Sequence, residues 1–146
     1  MEPIKDYNPQ MHSAEHILNQ TMMRMFGCDR SFNNHIEKKK SKCDFSFPHP
    51  LSEKETSEIE LKVNEVIKSG IQLTETFHPA NEAVKLYHLK IIPEDQQETI
   101  RIVHIGDYDS CPCIGKHVEN TADIAAFRIL SSSWENGVLR IRFRAG

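Results

Sequence analysis

Apolar residues recur at helical spacing near the start of the chain and predict a first helix over residues 11–26. Asn8 and Pro9 precede this pattern, and they combine a capping side chain with a residue suited to a first helical turn. Gly27 interrupts the pattern, so we expect the helix to end there. The apolar positions of the predicted helix are Ala14, Ile17, Leu18, Met22, Met25 and Phe26.

The next pattern alternates between apolar and polar residues and predicts a hairpin. Residues 32–40 and 42–47 are its two strands, with Phe45 and Phe47 on one face of the second strand. Pro48 is expected to help end this strand, because proline cannot donate a backbone hydrogen bond.

A second helix is predicted to start at Ser52 and to run to about Ser69. Glu55 stands three residues after Ser52, which is the spacing of a capping box, and Gly70 is the expected terminator. The helix has an apolar stripe at helical spacing, formed by Ile59, Val63, Val66 and Ile67.

The rest of the chain predicts mostly strands. We expect strands at residues 71–77, 99–105, 124–130 and 138–143, a short helix at 81–86, an exposed loop at 93–97 and an irregular loop at 108–121. Asn136 and Gly137 are a strong signal for a tight hairpin between the last two strands. In the final strand Arg140, Arg142 and Arg144 share one face, opposite the apolar positions.

Composition describes an ordinary globular chain. Its 146 residues suit one domain, with 38% hydrophobic and 27% charged residues. No apolar run approaches the roughly 20 residues needed to cross a bilayer, and the first residues lack the apolar core of a signal peptide. We therefore expect a cytoplasmic protein whose four cysteines are thiols or metal ligands. With a net charge of −3, nucleic-acid binding would require local basic patches or another domain.

Two pairs of residues have the spacing of metal ligands. His12 and His16 lie four apart on the first predicted helix, so both imidazoles can reach one point. Cys113 and His117 have the same spacing in a loop about a hundred residues later. Together they offer nitrogen and sulfur donors that suit zinc. The alternative, in which these are hydrogen-bonded histidines and a buried thiol, stays open at this point. Cys111 is interpreted as a spare thiol.

The first pair also fits another pattern. His12, Glu15 and His16 match the His-x-x-Glu-His signature of inverted zinc peptidases, in which Glu15 would act as the general base. Those enzymes need a further acidic ligand, whereas this chain offers a later Cys-x3-His motif. We therefore interpret Glu15 as a carboxylate on the surface of the helix.

These motifs resemble a known family, the editing domain shared by alanyl- and threonyl-tRNA synthetases, and the free-standing alanyl-tRNA editing proteins built from it. The family carries a His-x3-His helix and a later Cys-Gly-Gly-Thr-His-Val loop, which reads Cys-Ile-Gly-Lys-His-Val at residues 113–118. The loop departs from the family at Ile114 and Lys116. The resemblance covers nearly the whole chain and extends to Asp44-Phe45, residues 51–64, residues 101–106, residues 120–127 and Arg140-Ile141.

The resemblance implies an α+β fold, with helices against a mainly antiparallel sheet. It implies a zinc ion held by His12, His16, Cys113 and His117. The implied activity is hydrolysis of the ester that joins a wrong amino acid to tRNA, serine or glycine on alanine tRNA, by a protein acting in trans. A divergent, non-catalytic domain that binds metal or an amino acid is the alternative.

Acid–base and RNA-binding residues are less closely defined. Glu15 and Asp109 are the nearby candidates for proton transfer. The basic residues of 38–42 and 140–144 are candidate phosphate contacts, and Lys116 could contact a phosphate or only solvent. The RNA-contact candidates that we single out are Lys39, Lys40, Lys116 and Arg140.

Overall fold

A computed structural model describes residues 8–87 and 99–145, and in these ranges helices pack against antiparallel sheets. The helices are α1 (Pro9–Phe26), α2 (Glu53–Lys68) and α3 (Ala80–Tyr87), with a 3-10 turn at Thr121–Asp123. The strands are β1 (Asn33–His35), β2 (Ser41–Ser46), β3 (Leu73–Pro79), β4 (Thr99–Ile105), β5 (Asp109–Pro112), β6 (Phe127–Glu135) and β7 (Val138–Ala145). The α+β class is confirmed, and the predicted loop at 93–97 lies outside the described residues.

The described strands form two antiparallel sheets. The large sheet has the order β1-β2-β7-β6, and the small sheet has the order β3-β4-β5. In the large sheet Cys43 lies opposite Ile141, and Phe45 lies opposite Leu139, with all four side chains buried. This register places one face of the large sheet in the core and leaves the alternate residues on the outer face.

Local signals set the ends of the first two helices as predicted. The Asn8 side chain accepts a hydrogen bond from the Met11 backbone N–H at 3.1 Å, and Gly27 ends α1 with a φ of 70°. Ser52 and Glu55 form the reciprocal hydrogen bonds of a capping box at the start of α2. Both helix starts therefore follow from side chains within one turn of the helix.

The first half of helix α1 is buried on its polar side as well as on its apolar side. Its residues from Met11 to Asn19 are all buried, including the polar side chains His12, Ser13, Glu15, His16 and Asn19. Burying polar groups is costly unless they find partners. The polar part of α1 must therefore face other polar groups, and for His12, Ser13 and His16 these come from the segment that follows β4. Asn19 instead accepts from the Ser31 backbone N–H.

Several strand boundaries differ from the prediction. The strand expected at 32–40 is reduced to β1, and β3 is displaced by two residues from the expected 71–77. The loop expected at 108–121 begins with strand β5, which pairs with β4 after a turn at Gly106. A Cβ atom at Gly106 would lie 2.8 Å from Ile71 Cγ2, so this turn requires glycine. The tight turn expected at Asn136 and Gly137 is present, with φ values of 50° and 80°.

The strand expected at 124–130 begins only at Phe127, because Asn120 caps a 3-10 turn just before it. Helix α2 then fixes the start of β6. The Asn64 side chain accepts from the Phe127 backbone N–H at 2.9 Å and donates to its carbonyl at 3.0 Å. None of the helices in the described ranges has the length and apolar character of a membrane span.

Candidate metal centre

Four side chains from α1 and from the loop after β5 converge on one point. They are the four predicted ligands, His12, His16, Cys113 and His117, and their candidate ligand atoms all lie within 4.8 Å of one another. Cys113 Sγ is 3.2 Å from His12 Nε2 and 3.4 Å from His117 Nε2. The His12 and His117 rings stack with their centroids 4.1 Å apart. Two pairs of residues about a hundred positions apart in the chain therefore meet at one point.

These separations fit a tetrahedral metal site. With ordinary zinc–nitrogen and zinc–sulfur bonds, the nitrogen and sulfur ligands of a tetrahedron lie about 3.6 Å apart. The two sulfur–nitrogen distances at Cys113 lie within a few tenths of an ångström of that value. Three imidazoles and a thiolate are also the borderline-soft donors that zinc prefers. The residues present could hold a metal ion of this kind.

Backbone and hydroxyl groups orient two of the imidazoles. His12 Nδ1 lies 3.1 Å from the Lys116 carbonyl oxygen, which can only accept, so Nδ1 carries a proton and Nε2 is the nitrogen that faces Cys113. His117 Nδ1 lies 2.9 Å from Ser13 Oγ, and this hydroxyl also accepts from the Val118 N–H at 3.1 Å. Such contacts fix the ring orientation of a metal-binding histidine.

Asp109 orients the third imidazole. Its Oδ2 atom forms an ion pair with His16 Nδ1 at 3.6 Å, and both atoms are buried with no hydrogen-bond partner among the described residues. Its Oδ1 atom accepts from Gln20 Nε2 at 2.8 Å and from the guanidinium of Arg30. Burial would raise the pKa of Asp109, but His16 and Arg30 lower it to about 2. Asp109 is therefore an ionised carboxylate behind His16, as in carboxylate–histidine–metal arrangements.

The protonation states of Cys113 and His117 match those of metal ligands, whereas that of His16 does not. Burial alone would raise the pKa of the Cys113 thiol, but hydrogen bonds from the three imidazoles lower it to about 3. Burial also holds the pKa of His117 low, at about 4, so its imidazole is neutral at pH 7. Although burial opposes it, Glu15 and Asp109 raise the pKa of His16, so metal binding at His16 would release a proton.

The loop that carries Cys113 is held by Arg101 from β4. Its Nη1 atom donates to the carbonyl oxygens of Cys113 at 3.2 Å and of Gly115 at 2.9 Å. Its Nε atom donates to Glu75 at 2.6 Å, which fixes the guanidinium from the other side. Ser13, Arg30 and Arg101 have no spacing or periodicity that marks them as site residues, because each acts through contacts between distant parts of the chain.

The other predicted site residues have mixed outcomes. Glu15 is 9% exposed, so its interpretation as a surface carboxylate was wrong, and burial raises its pKa. It turns inward because α1 is covered on this side by the segment after β4. Cys111 lies outside the group of converging ligand atoms, and burial raises the pKa of its thiol to about 11, as suits a spare thiol.

The predicted RNA contacts lie at the surface. Lys39, Lys40 and Lys116 are exposed. Arg140 instead forms a two-point ion pair with Asp44, with distances of 2.7 Å to Oδ1 and 3.0 Å to Oδ2. A role for any of these residues in RNA binding stays a prediction.

Two cavities border the cluster. One, which we call the small cavity, has a volume of 210 Å³ and is lined by His12, Glu15, His16, Asn19, Arg30, Ser31, Asn34, Cys111, Pro112 and Cys113. The other lies beside His117, has a volume of 440 Å³ and includes Arg101, Glu75 and Glu119 in its lining. The small cavity thus borders His12, His16 and Cys113, and the other cavity borders His117.

The fold and the cluster together define an α+β domain with a site suited to a metal ion. Comparison with known proteins assigns it to a family. Residues 100–142 match the threonyl and alanyl tRNA synthetase second additional domain. The chain belongs with the second additional domains shared by these synthetases, and the resemblance of its sequence to that domain is confirmed.

Similar full-length proteins are alanine–tRNA ligases. The chain is 32% identical over 139 residues to the enzyme of Treponema denticola, an alignment that covers 90% of this chain and 22% of that protein. It is 32% identical over 137 residues to the enzyme of Caldicellulosiruptor saccharolyticus, covering 92% and 16% respectively. For the enzyme of Parvibaculum lavamentivorans the identity is 30%, with coverage of 98% and 17%. The chain therefore spans about a fifth or less of the length of these relatives.

Proposed function

We propose that this protein is a zinc-dependent hydrolase that acts in trans and removes the wrong amino acid from mischarged tRNA, serine or glycine on alanine tRNA. The observation that carries the proposal is the convergence of three imidazoles and one thiol beside the small cavity. The relationship to alanine–tRNA ligases supports tRNA as the substrate class. A cytoplasmic location and a single domain over residues 1–146 stay predictions.

The reaction is an ester hydrolysis. The oxygen of water bonds to the ester carbonyl carbon, the bond from that carbon to the ribose oxygen breaks, and the ribose oxygen takes a proton. When bound by His12, His16, Cys113 and His117, zinc supplies a Lewis acid that orients or polarises the substrate. An aminoacyl ester is reactive enough that positioning contributes much of the acceleration.

Glu15 is the better placed candidate for proton transfer. It lines the small cavity beside the cluster, whereas both carboxylate oxygens of Asp109 face protein groups. We assign Asp109 the role of a positioning residue that holds His16. Glu15 would then accept a proton from the attacking water and return it to the departing ribose oxygen.

The size and lining of the small cavity fit a small polar amino acid. Its 210 Å³ lies below the roughly 300–1,000 Å³ of pockets for drug-sized ligands. Its wall includes the amides of Asn19 and Asn34 and the hydroxyl of Ser31, which can bond a hydroxyl or an amino group. Serine and glycine fit this description, and large apolar side chains do not.

A panel of mischarged tRNAs tests the proposal. Metal-replete protein should deacylate serine- or glycine-charged alanine tRNA, and chelator-treated protein should not. The double variant His12→Ala with His117→Ala should lose turnover, whereas its matched control, His49→Ala with His78→Ala at two positions outside the cluster and the cavities, should keep it. Absence of turnover on every mischarged tRNA at stoichiometric zinc would leave a non-catalytic metal-binding domain as the better description. Peptide cleavage that disappears in Glu15→Gln would instead support the peptidase alternative.

A further inference from the structure

The outer face of the large sheet concentrates positive charge. Strands β2 and β7 place Lys42, Arg140 and Arg142 on this face, because their neighbours in sequence fill the core. Strand β6 adds Arg128, which lies opposite Arg144. This surface is locally positive, although the chain as a whole carries a net charge of −3. We call this surface the basic face.

Like charges lie directly opposite one another on the basic face. Lys42 pairs in register with Arg142, and Arg128 pairs in register with Arg144. Like charges at directly opposed positions of an antiparallel pair destabilise the sheet. An anion bound between Lys42 and Arg142 would remove the repulsion within that pair. The arrangement is therefore one that a polyanion would stabilise.

A cavity lies between these side chains. It has a volume of 270 Å³, and its lining among the described residues contains four cationic side chains and one carboxylate, with His35 and Ser41. The cations are Lys40, Lys42, Arg140 and Arg142, and the carboxylate is Glu37. Asp44 already holds Arg140 through two hydrogen bonds, which positions that guanidinium at the cavity wall. The cavity can accommodate a phosphate group.

Strand β1 connects the basic face to the metal centre. It is one of the two edge strands in the order β1-β2-β7-β6 of the described residues. Asn34 lines the small cavity beside the cluster, and His35, the next residue, lines the cavity of the basic face. Phe32, just before this strand, is 60% exposed. Exposed aromatic rings are the usual stacking platforms for unpaired bases.

We propose that the basic face binds the phosphate backbone of the tRNA acceptor arm, and that the single-stranded 3′ end crosses β1 past Phe32 to reach the metal centre. This assignment rests on the proposed function for its choice of tRNA. A local basic face would allow a chain with a negative net charge to bind a polyanion. Charge complementarity, the opposed like charges and the shared edge at β1 all point to the same path.

Binding of uncharged tRNA tests the basic face without any need for catalysis. The double variant Lys42→Ala with Arg142→Ala should weaken binding about tenfold at moderate salt, and should reduce the slope of log K against log salt by about two. The matched control, Lys54→Ala with Lys68→Ala, removes the same charge from exposed positions of α2 and should change binding little. Equal losses in both variants, or no loss in the first, would overturn the proposal.

A charge-reversal variant distinguishes the loss of a direct contact with tRNA from a loss of folding. Lys42→Glu would place a carboxylate opposite Arg142 and replace a repulsive pair with an attractive one. We expect Tm to stay the same or rise while tRNA affinity falls. A fall in affinity that occurs only together with a large drop in Tm would count against direct contact. Unchanged affinity in this variant would contradict the proposal outright.

Hydrolysis assays then separate this inference from the proposed function. A short aminoacylated oligonucleotide ending in the tRNA 3′ sequence reports on the metal centre, and whole mischarged tRNA reports also on the basic face. The alanine double variant should lose at least several-fold more kcat/KM on whole tRNA than on the oligonucleotide. Equal losses on both substrates would overturn the basic-face proposal. If the unmodified protein hydrolyses neither substrate, the proposed function fails, and tRNA binding still decides the basic face.

Discussion

The hydroxyl of Ser13 links the two halves of the candidate metal centre, and its removal is the sharpest test of that geometry. Ser13 is fully buried on α1, and its Oγ atom lies 2.9 Å from His117 Nδ1 and 3.1 Å from the Val118 backbone nitrogen. Ser13→Ala deletes both hydrogen bonds and leaves one imidazole nitrogen and one backbone N–H without this partner. The His117 ring is then no longer fixed by the hydroxyl.

Two magnitudes follow from this geometry. Loss of a contact that orients a metal-binding histidine weakens metal affinity about 10- to 100-fold. Leaving a buried donor unsatisfied costs about 1–3 kcal/mol of folding free energy, partly offset because alanine favours helices more than serine does. Since stabilisation by a bound metal follows its dissociation constant, a tenfold loss of affinity removes about 1.4 kcal/mol of zinc-dependent stability.

Chelator competition measures the zinc affinity of Ser13→Ala, and denaturant unfolding with and without zinc measures the two stability terms. Ser57→Ala at an exposed position of α2 is the matched control, because it isolates the effect of helix propensity. The control should bind zinc like the unmodified protein. If Ser13→Ala folds and also binds zinc as tightly as the control, then His117 is not held by Ser13, and the interpretation of this contact is wrong.

Three further predictions concern stability. Ser52→Ala removes the capping box of α2 and should cost about 1 kcal/mol in denaturant unfolding, and no change would contradict the cap. Phe143→Ala should cost about 3–5 kcal/mol because the ring is fully buried, whereas Phe32→Ala at an exposed ring should cost far less. The Arg140 hydrogen bond lowers the pKa of Asp44 despite partial burial, so this pair stabilises the fold above the ordinary aspartate pKa and loses that contribution as pH falls through the lowered value. Asp44→Asn should therefore show a smaller loss of Tm between about pH 5 and pH 2, and an unchanged acid profile would count against the ion pair.

The parts of the fold that the sequence predicted are those with local causes. Asn8 caps α1, and Ser52 with Glu55 caps α2, through contacts that span three residues. Strand β5 was assigned to a loop because its four residues carry no alternating pattern of their own. It becomes a strand by pairing with β4, and that pairing depends on the turn at Gly106.

The candidate ligands could be found from spacing, but their supports could not. A separation of four residues on a helix fixes His12 and His16 relative to each other before any tertiary contact forms. The contacts of Ser13 with His117 and of Arg30 with Asp109 join residues 104 and 79 positions apart. Such pairs have no periodicity or spacing that would distinguish them from surface residues. The burial of Glu15 was missed for the same reason.

Strand β1 is short and exposed, and its position lets it border two cavities. Its three residues are all exposed, and consecutive residues of a strand face opposite sides of a sheet. Asn34 and His35 therefore border two cavities of different character, one beside the Cys113 sulfur and one among cations. A longer or covered edge would separate these cavities and close the route between them. If the basic face and the metal centre bind the same tRNA, the junction between its duplex and its single-stranded 3′ end lies at this edge.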